Sequence, residues 1–205
     1  IHDDDGHFGR DRTGQRRTDD DTLSLFGKGS AGDRVQIFDG KKSIGFTTVN
    51  NDGRWRFTPE ALSDGNHTFQ TRTHFEQGGA SKKSGRYKIR VDTKINEIDN
   101  FSLQANKKSI SGELDDQQVR IVGRGESFAK IDIYDNGVKI GSATANKKGR
   151  FVFNLEADQA AGEHSITLVQ QDLAGNISDQ GKAKSFTVAG DTAPDTAPTG
   201  DPITT

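Results

Sequence analysis

The residues of this 205-residue chain whose types and spacing could do chemistry are its carboxylates. Asp3, Asp4 and Asp5 cluster near the start, and Asp19, Asp20 and Asp21 cluster just ahead of the first apolar stretch. At an offset of 96 the pattern returns in looser form as Asp99 and Asn100, then Asp115 and Asp116. Like charges packed side by side repel unless a cation lies among them. Ca2+ suits such sets, because it takes roughly six to eight hard oxygen ligands in flexible geometry. Mg2+ fits less well, and Zn2+ lacks the His and Cys partners it prefers. The plain alternative is that these are solvated turn residues, since Asp is common in turns. Recurrence at the entrance of each half of the chain favours calcium. No known loop motif settles the matter: an EF-hand around Asp3, Asp5 and Gly6 would put Ile1 first and Arg12 last, where carboxylates are needed. Gly6, Gly9 and Asp11 give one copy of a glycine-rich nonapeptide pattern, and one copy cannot build a β-roll.

Other chemistries find little footing. Serine is plentiful, but no G-x-S-x-G or other nucleophile motif is present, so no enzyme is expected. The chain has no Cys, which removes disulfides, thiolate catalysis and zinc-thiolate sites together. Arg10, Arg12, Arg16 and Arg17 form a basic run without an aromatic platform, better read as a solvated loop neutralising nearby carboxylates than as a nucleic-acid contact. Trp55, the only Trp, could stack on a sugar, but its repeat partner is Phe151, which argues for core. His67 and His164 occupy equivalent places with no second His beside them, and read as structural.

The elements that must position these groups come in two copies. At the offset of 96, Gly27 pairs with Gly123, Val35 with Ile131, Asp39 with Asp135, and Ile44-Gly45 with Ile140-Gly141. The register runs on through Asn50 and Asn146, Gly53-Arg54 and Gly149-Arg150, Trp55 and Phe151, and Phe57 and Phe153. After one inserted residue, Gly65 and His67 pair with Gly162 and His164. Two homologous domains of about 95 residues follow, over 1–92 and 93–190, with 191–205 as a linker toward a next repeat. Within each copy apolar residues alternate with a period of two, as in Val35/Ile37 and Ile131/Ile133. Asp39-Gly40 and Asn136-Gly137 mark tight hairpins, Asp52-Gly53 and Lys148-Gly149 the next turns, so each copy reads as a double hairpin. Short strands roughly 8–12 residues apart, with no sustained helical spacing, predict an all-β fold of two tandem β-sandwiches.

Composition agrees. Hydrophobic residues make up 30%, charged residues 28%, and 24 positions are Gly, the balance of thin-cored β domains. A net charge of −2 gives no field for nucleic acid or an anionic membrane. No stretch approaches the roughly 20 apolar residues of a membrane span. A start at Ile1, no Met and no signal-peptide pattern lead us to expect a fragment cut from a longer polypeptide.

The order G-x-G, then V/I-x-I-F/Y-D, I-G-x-x-T, G-R-W/F-x-F and G-x-H resembles the bacterial immunoglobulin-like repeats of giant RTX-type and biofilm-associated surface adhesins. Asp172-Leu173-Ala174-Gly175-Asn176, followed by FTVAGDTAP at 186–194, is similar to the end of such a repeat and its linker. The resemblance implies immunoglobulin-like sandwiches, export to the bacterial cell surface, head-to-tail arrays with neighbouring repeats as partners, and calcium at junctions. Asp172 would then be a ligand. Copy one departs there, reading Phe75-Glu76-Gln77-Gly78-Gly79. Two roles are expected: an extender stalk stiffened by calcium, or a module that binds a glycan, a host-cell or matrix protein, or another copy of the adhesin.

Overall fold

The computed structural model describes residues 9–10, 15–105, 108–110, 113–114, 119–155 and 159–189. Backbone and burial follow the period of two. Along Val119–Arg124 every second residue is buried, and along Gly162–Gln171 His164, Ile166, Leu168 and Gln170 turn inward while their neighbours do not.

The first domain contains β1 (Gly9–Arg10), β2 (Arg16–Thr18), β3 (Leu25–Lys28), β4 (Arg34–Asp39), β5 (Lys42–Thr48), β6 (Arg54–Phe57), β7 (Gly65–His74) and β8 (Tyr87–Val91). One sheet runs β1-β2-β8-β7-β4-β5, and β3 pairs with β6 in a smaller one. The second domain contains β9 (Phe101–Ala105), β10 (Lys108–Ser109), β11 (Glu113–Leu114), β12 (Val119–Arg124), β13 (Lys130–Asp135), β14 (Val138–Thr144), β15 (Arg150–Asn154), β16 (Gly162–Gln171) and β17 (Lys184–Val188). Its sheets run β11-β17-β16-β13-β14 and β10-β9-β12-β15. Each domain is an antiparallel sandwich with one parallel edge, β2 on β8 and β11 on β17. Two separate cores result, one of Leu23, Leu25, Val35, Ile37, Val49, Phe69, Ile89 and Val91, the other from Ile98 to Phe186. All of the described structure is strand, turn and loop.

The repeated glycines and aromatics are partners. Gly27 sits opposite Trp55 in the β3–β6 register and Gly123 opposite Phe151 in β12–β15, and a Cβ at either would come within 2.6 Å or 2.7 Å of the ring. A Cβ at Gly45 would likewise meet the Phe57 ring, and one at Gly141 would come within 2.5 Å of the Phe153 ring, so a second ring of the smaller sheet rests on the edge strand of the larger one. Both β4–β5 and β13–β14 slip register at the same point, leaving Ile44 and Ile140 as the extra residues of matched bulges.

Two local expectations are corrected. The first-copy hairpin loop is Gly40-Lys41 between Asp39 and Lys42, with φ of 58° at Gly40. Asp39 stays in the strand because its carboxylate holds His67 and the Thr68 N–H. The second-copy loop is Asn136-Gly137 as expected, with φ of 48° and 80°. The following turn, by contrast, is not a hairpin: after Asn50–Gly53 and Asn146–Gly149 the chain leaves the larger sheet and enters the smaller one. Asn50 and Asn146 hold these crossings, each side-chain oxygen accepting from two N–H groups ahead of it.

Gly141→Val should drive a branched side chain into the Phe153 ring and cost its domain about 1–3 kcal/mol. Thermal denaturation should show the second domain melting roughly 5–20 °C lower while the first is unchanged.

Candidate functional site

Polar chemistry concentrates in two places, a buried Asp–His pair in each domain and the segment that joins the domains. In the pairs, His67 Nδ1 meets Asp39 Oδ2 at 2.6 Å and Nε2 meets the Ser63 carbonyl at 2.8 Å. His164 repeats this with Asp135 Oδ2 at 2.5 Å and the Ala160 carbonyl at 2.8 Å. The second carboxylate oxygen of each Asp accepts the next N–H of β7 or β16, from Thr68 or Ser165. His164 also stacks on Phe186, centroids 4.8 Å apart. Around His164 the two acceptors favour the doubly protonated ring. For His164 burial works against the charge, but the Asp135 hydrogen bond, the Ala160 carbonyl and the Asp135 charge outweigh it and raise the pKa. Among the described groups no nucleophile completes either pair, so both are braces, tying β4 to β7 and β13 to β16.

The joining segment, residues 92–99, hangs from polar groups on both sides. On the first domain, Asp64 Oδ1 accepts from the Thr93 N–H and hydroxyl, and its carboxyl is held below the ordinary range chiefly by that N–H. Asp92 N donates to the Thr18 carbonyl, and its carboxylate faces Arg17 at 3.5 Å and Arg90 at 3.4 Å. On the second domain, Asn176 Nδ2 donates to the Asp92 carbonyl at 2.5 Å and Gln170 Nε2 to the Asn96 carbonyl at 2.6 Å. Gln170, only 2% exposed, also accepts the Glu126 N–H through Oε1. Ile98 is buried in the second core, and Gly181 is bare because the Ile98 carbonyl lies against it. Asp99 accepts the Lys182 N–H at 2.8 Å, which keeps its carboxyl below the usual range. Glu126 is the strained member: burial, then Asp172, then Asp92 push its pKa up, with Arg17 and Arg90 pulling the other way.

The sequence-predicted carboxylates scatter over this arrangement. Asp3, Asp4, Asp5, Asp115 and Asp116 lie outside the described residues. Asp19, Asp20 and Asp21 are half-buried ahead of β3. Asp20 Oδ1 accepts from the Thr22 N–H and hydroxyl, while its buried Oδ2 meets no hydrogen-bond donor among the described residues. Asp99 is engaged by Lys182 through both oxygens. Asp172 Oδ1 gathers three N–H groups, from Ala174, Gly175 and Asn176, and Oδ2 accepts from Asn176 Nδ2. It therefore shapes the loop that presents Asn176 to Asp92. Among the described residues no three His, Asp or Glu side chains converge where a metal ion could sit. Arg16 and Arg17 lie in β2 rather than in a loop, Arg16 over the Tyr87 ring at 4.5 Å. Trp55 packs on the first core but stays half-exposed.

Sequence reasoning missed Gln170, Asn176, Glu126 and Asp92. The available signal was copy difference: Gln170 stands where copy one has Thr73, and Asn176 where it has Gly79.

Residues 3–93 match the Bacterial Ig-like domain family and residues 105–189 the Bacterial Ig domain family. The chain belongs to the bacterial immunoglobulin-like domains. No curated protein matches it. Among solved structures, the BSP domain of a biofilm-associated protein is 20% identical, with a TM-score of 0.32 over 92% of this chain and 30% of that one. A 1.5-MDa bacterial ice-binding adhesin is 15% identical, with a TM-score of 0.40 over 83% of this chain and 59% of that one. The human OSCAR ligand-binding domain gives 14% identity and a TM-score of 0.40 over 82% of this chain and 92% of that one. At these values the likeness bears on neither ligand nor activity. Bacterial immunoglobulin-like families are typically structural and adhesion modules.

The His164 brace makes the second domain's stability depend on pH. The folded ring holds its proton more tightly than the unfolded one, so the contribution is full below the ordinary value of 6.5 and is lost as pH rises through the folded pKa. Denaturant melts from pH 5.5 to 8.5 should show this decline. His164→Ala should cost about 1.5–3 kcal/mol at pH 5.5, less at pH 8.5, and flatten the profile.

Proposed function

We propose that the chain is a pair of extender repeats of a secreted bacterial cell-surface adhesin, holding a binding tip away from the cell in adhesion or biofilm formation. The joining segment carries the reading. Asp64 and Thr18 grip it from one side, and Asn176, Gln170 and Lys182 from the other, which a string of independent binding modules would not need. Neighbouring repeats of the same chain are the first partners on this view; nucleic acid and membrane are not.

Calcium is part of the proposal, at the domain entrances. Its support is the recurrence of carboxylate clusters at Asp3–Asp5, Asp19–Asp21 and Asp115–Asp116, together with the buried Asp20 Oδ2 that meets no donor among the described residues. The described part of the junction does not fit a metal, since Asp99 and Asp172 are already satisfied by protein groups. Calcium bound only by the folded chain at ten times its Kd adds about 1.4 kcal/mol per site.

A second reading, a module that binds a glycan, a host protein or another copy of the adhesin, draws on exposed aromatics peculiar to the first domain. Phe46 lies 41% exposed beside His74 and under Arg34, and Phe75 is 45% exposed. The second domain has Ser142, Gln171 and Asp172 at these places. Specific retention on a glycan array by the intact chain, lost in Phe46→Ala, would replace the pure spacer reading.

Small-angle scattering tests the extender. Asn176→Ala combined with Asp64→Ala should broaden the distance distribution while each domain's melting temperature stays within a few degrees. An unchanged distribution would sink the reading. Melts in calcium and in EDTA test the metal separately: a rise in calcium that Asp19→Ala with Asp20→Ala removes is expected, and superimposable curves would end that part.

A further inference from the structure

The larger sheets of the two domains present different outer faces. Along β7 and β8, His67, Phe69, Ile89 and Val91 turn into the core, so the intervening Asn66, Thr68, Gln70, Lys88 and Arg90 face out. Register sets these in rows, Arg17 beside Arg90 and Asn66, Lys88 beside Thr68, and Arg72 beside Gln36. A groove of about 540 Å³ opens among them, lined by Gln15, Arg16, Asn66, Thr68, Arg86 and Lys88. Small-ligand sites are commonly of this size.

The cations of this face are not there to pair with the protein's own acids. Among the described residues no carboxylate pairs with Arg86 or Lys88, while Arg17 and Arg90 turn to Asp92 at the junction. Arg16 lies over the Tyr87 ring, and Arg72 has a buried Nε that meets no hydrogen-bond acceptor among the described residues. The second domain has the same sheet without these charges. At an offset of 97, Arg72, Arg86, Lys88 and Arg90 become Val169, Ala183, Ser185 and Thr187, and Asn66 becomes Glu163. On its β13–β14 hairpin Lys130 and Lys139 are both spent on Asp132. The β7–β8 pairing recurs as β16–β17 with no cation at these places, so the fold does not require them.

We infer that this outer face of the first domain binds an acidic polysaccharide, with its carboxylate or sulfate groups on Arg86 and Lys88 and its hydroxyls on Asn66 and Thr68. A guanidinium holds such an anion through two parallel N–H bonds, and an ammonium adds a point charge on a flexible stem. Gln15 Nε2 donates to Asn66 Oδ1 at 2.8 Å, so Asn66 offers the groove its Nδ2 as a donor, and the Thr68 hydroxyl can both donate and accept. Single-stranded nucleic acid is disfavoured because its bases need rings to stack on. The rings on this sheet are already covered, Phe46 by Arg34 at 4.1 Å and Phe38 by Lys83 at 3.5 Å. The inference rests on the glycan-binding reading and deepens it, placing the ligand on β7 and β8 rather than at Phe46; the extender role does not depend on it.

The test uses the intact chain on surfaces bearing heparin, which carries sulfate and carboxylate, polygalacturonate, which carries carboxylate alone, or neutral dextran. Saturable binding to an acidic polymer and none to dextran is expected, weakening at least about fivefold as salt rises from roughly 50 to 300 mM. Tighter binding to heparin assigns sulfate, and tighter binding to polygalacturonate assigns carboxylate. Arg86→Glu combined with Lys88→Glu should weaken binding at least about tenfold with the melting curve unchanged, since both side chains are exposed. Lys147→Glu combined with Lys148→Glu makes the same charge change on an exposed turn of the second domain and should leave binding as it was. Equal loss in the two double variants, equal retention on dextran, or no saturable binding would overturn the inference. Tighter binding to single-stranded DNA than to either acidic polymer would do so too. Binding that appears only with Asp3→Asn, Asp4→Asn and Asp5→Asn together would also overturn it, because the chain's own acids would then hold the face. Retention on a neutral glycan lost in Phe46→Ala alone would keep the glycan-binding reading and overturn this site.

Discussion

Everything in these domains depends on an aromatic ring lying where a neighbouring residue has no side chain. Trp55 over Gly27 and Phe151 over Gly123 tie adjacent strands of the smaller sheets, while Phe57 over Gly45 and Phe153 over Gly141 tie the smaller sheets to the larger. A hydrophobic content of 30% leaves too few large side chains to fill a thick core, and face-to-backbone contact buries a ring without a second bulky partner. The bulges at Ile44 and Ile140 belong to the same constraint. An extra residue shifts the alternation by one step, so that Gly45 and Gly141 face the ring while the strand keeps pairing beyond them.

This constraint explains which parts of the fold can be read from the letters alone. Ring seats, turn residues and the Asp–His braces are short in sequence or fixed at one offset, and they repeat because neither domain can lose them. The all-β class, the two sandwiches and the structural reading of His67 and His164 follow from them. Strand pairing is less visible. The turns at Asn50 and Asn146 have the chemistry of a hairpin, and nothing local tells whether the chain folds back beside itself or crosses to the other sheet. The joining segment was illegible for a different reason: Gln170 and Asn176 donate to main-chain carbonyls 74 and 84 residues away, which any residue at those positions would provide. Asp172 drew attention as a carboxylate, whereas its oxygens are spent on its own loop.

The copies agree in their cores and disagree at their poles. At equivalent loops Phe75 and Asp172 both donate N–H to the residue four ahead, Gly79 or Asn176, and both loops close with a bridge to the following residue. The backbone path is therefore shared and the side chains divide. Asp172 adds a cap and Asn176 a hook that reaches Asp92, while the first domain has an exposed Phe75 and a Gly79 with φ of 89°.

That division sets a direction. The grip on the joining segment comes from the second domain's Gln170, Asn176 and Lys182, and the first domain carries Thr73, Gly79 and Gly85 at the matching places. The side-chain hydrogen bonds of Gln170 and Asn176 have no equivalent at Thr73 and Gly79, because Thr is too short to replace Gln and Gly has no side-chain donor, whereas the Lys182 bond comes from a main-chain N–H that Gly85 shares. The Phe75–Gly79 loop is thus where the first domain departs from the second.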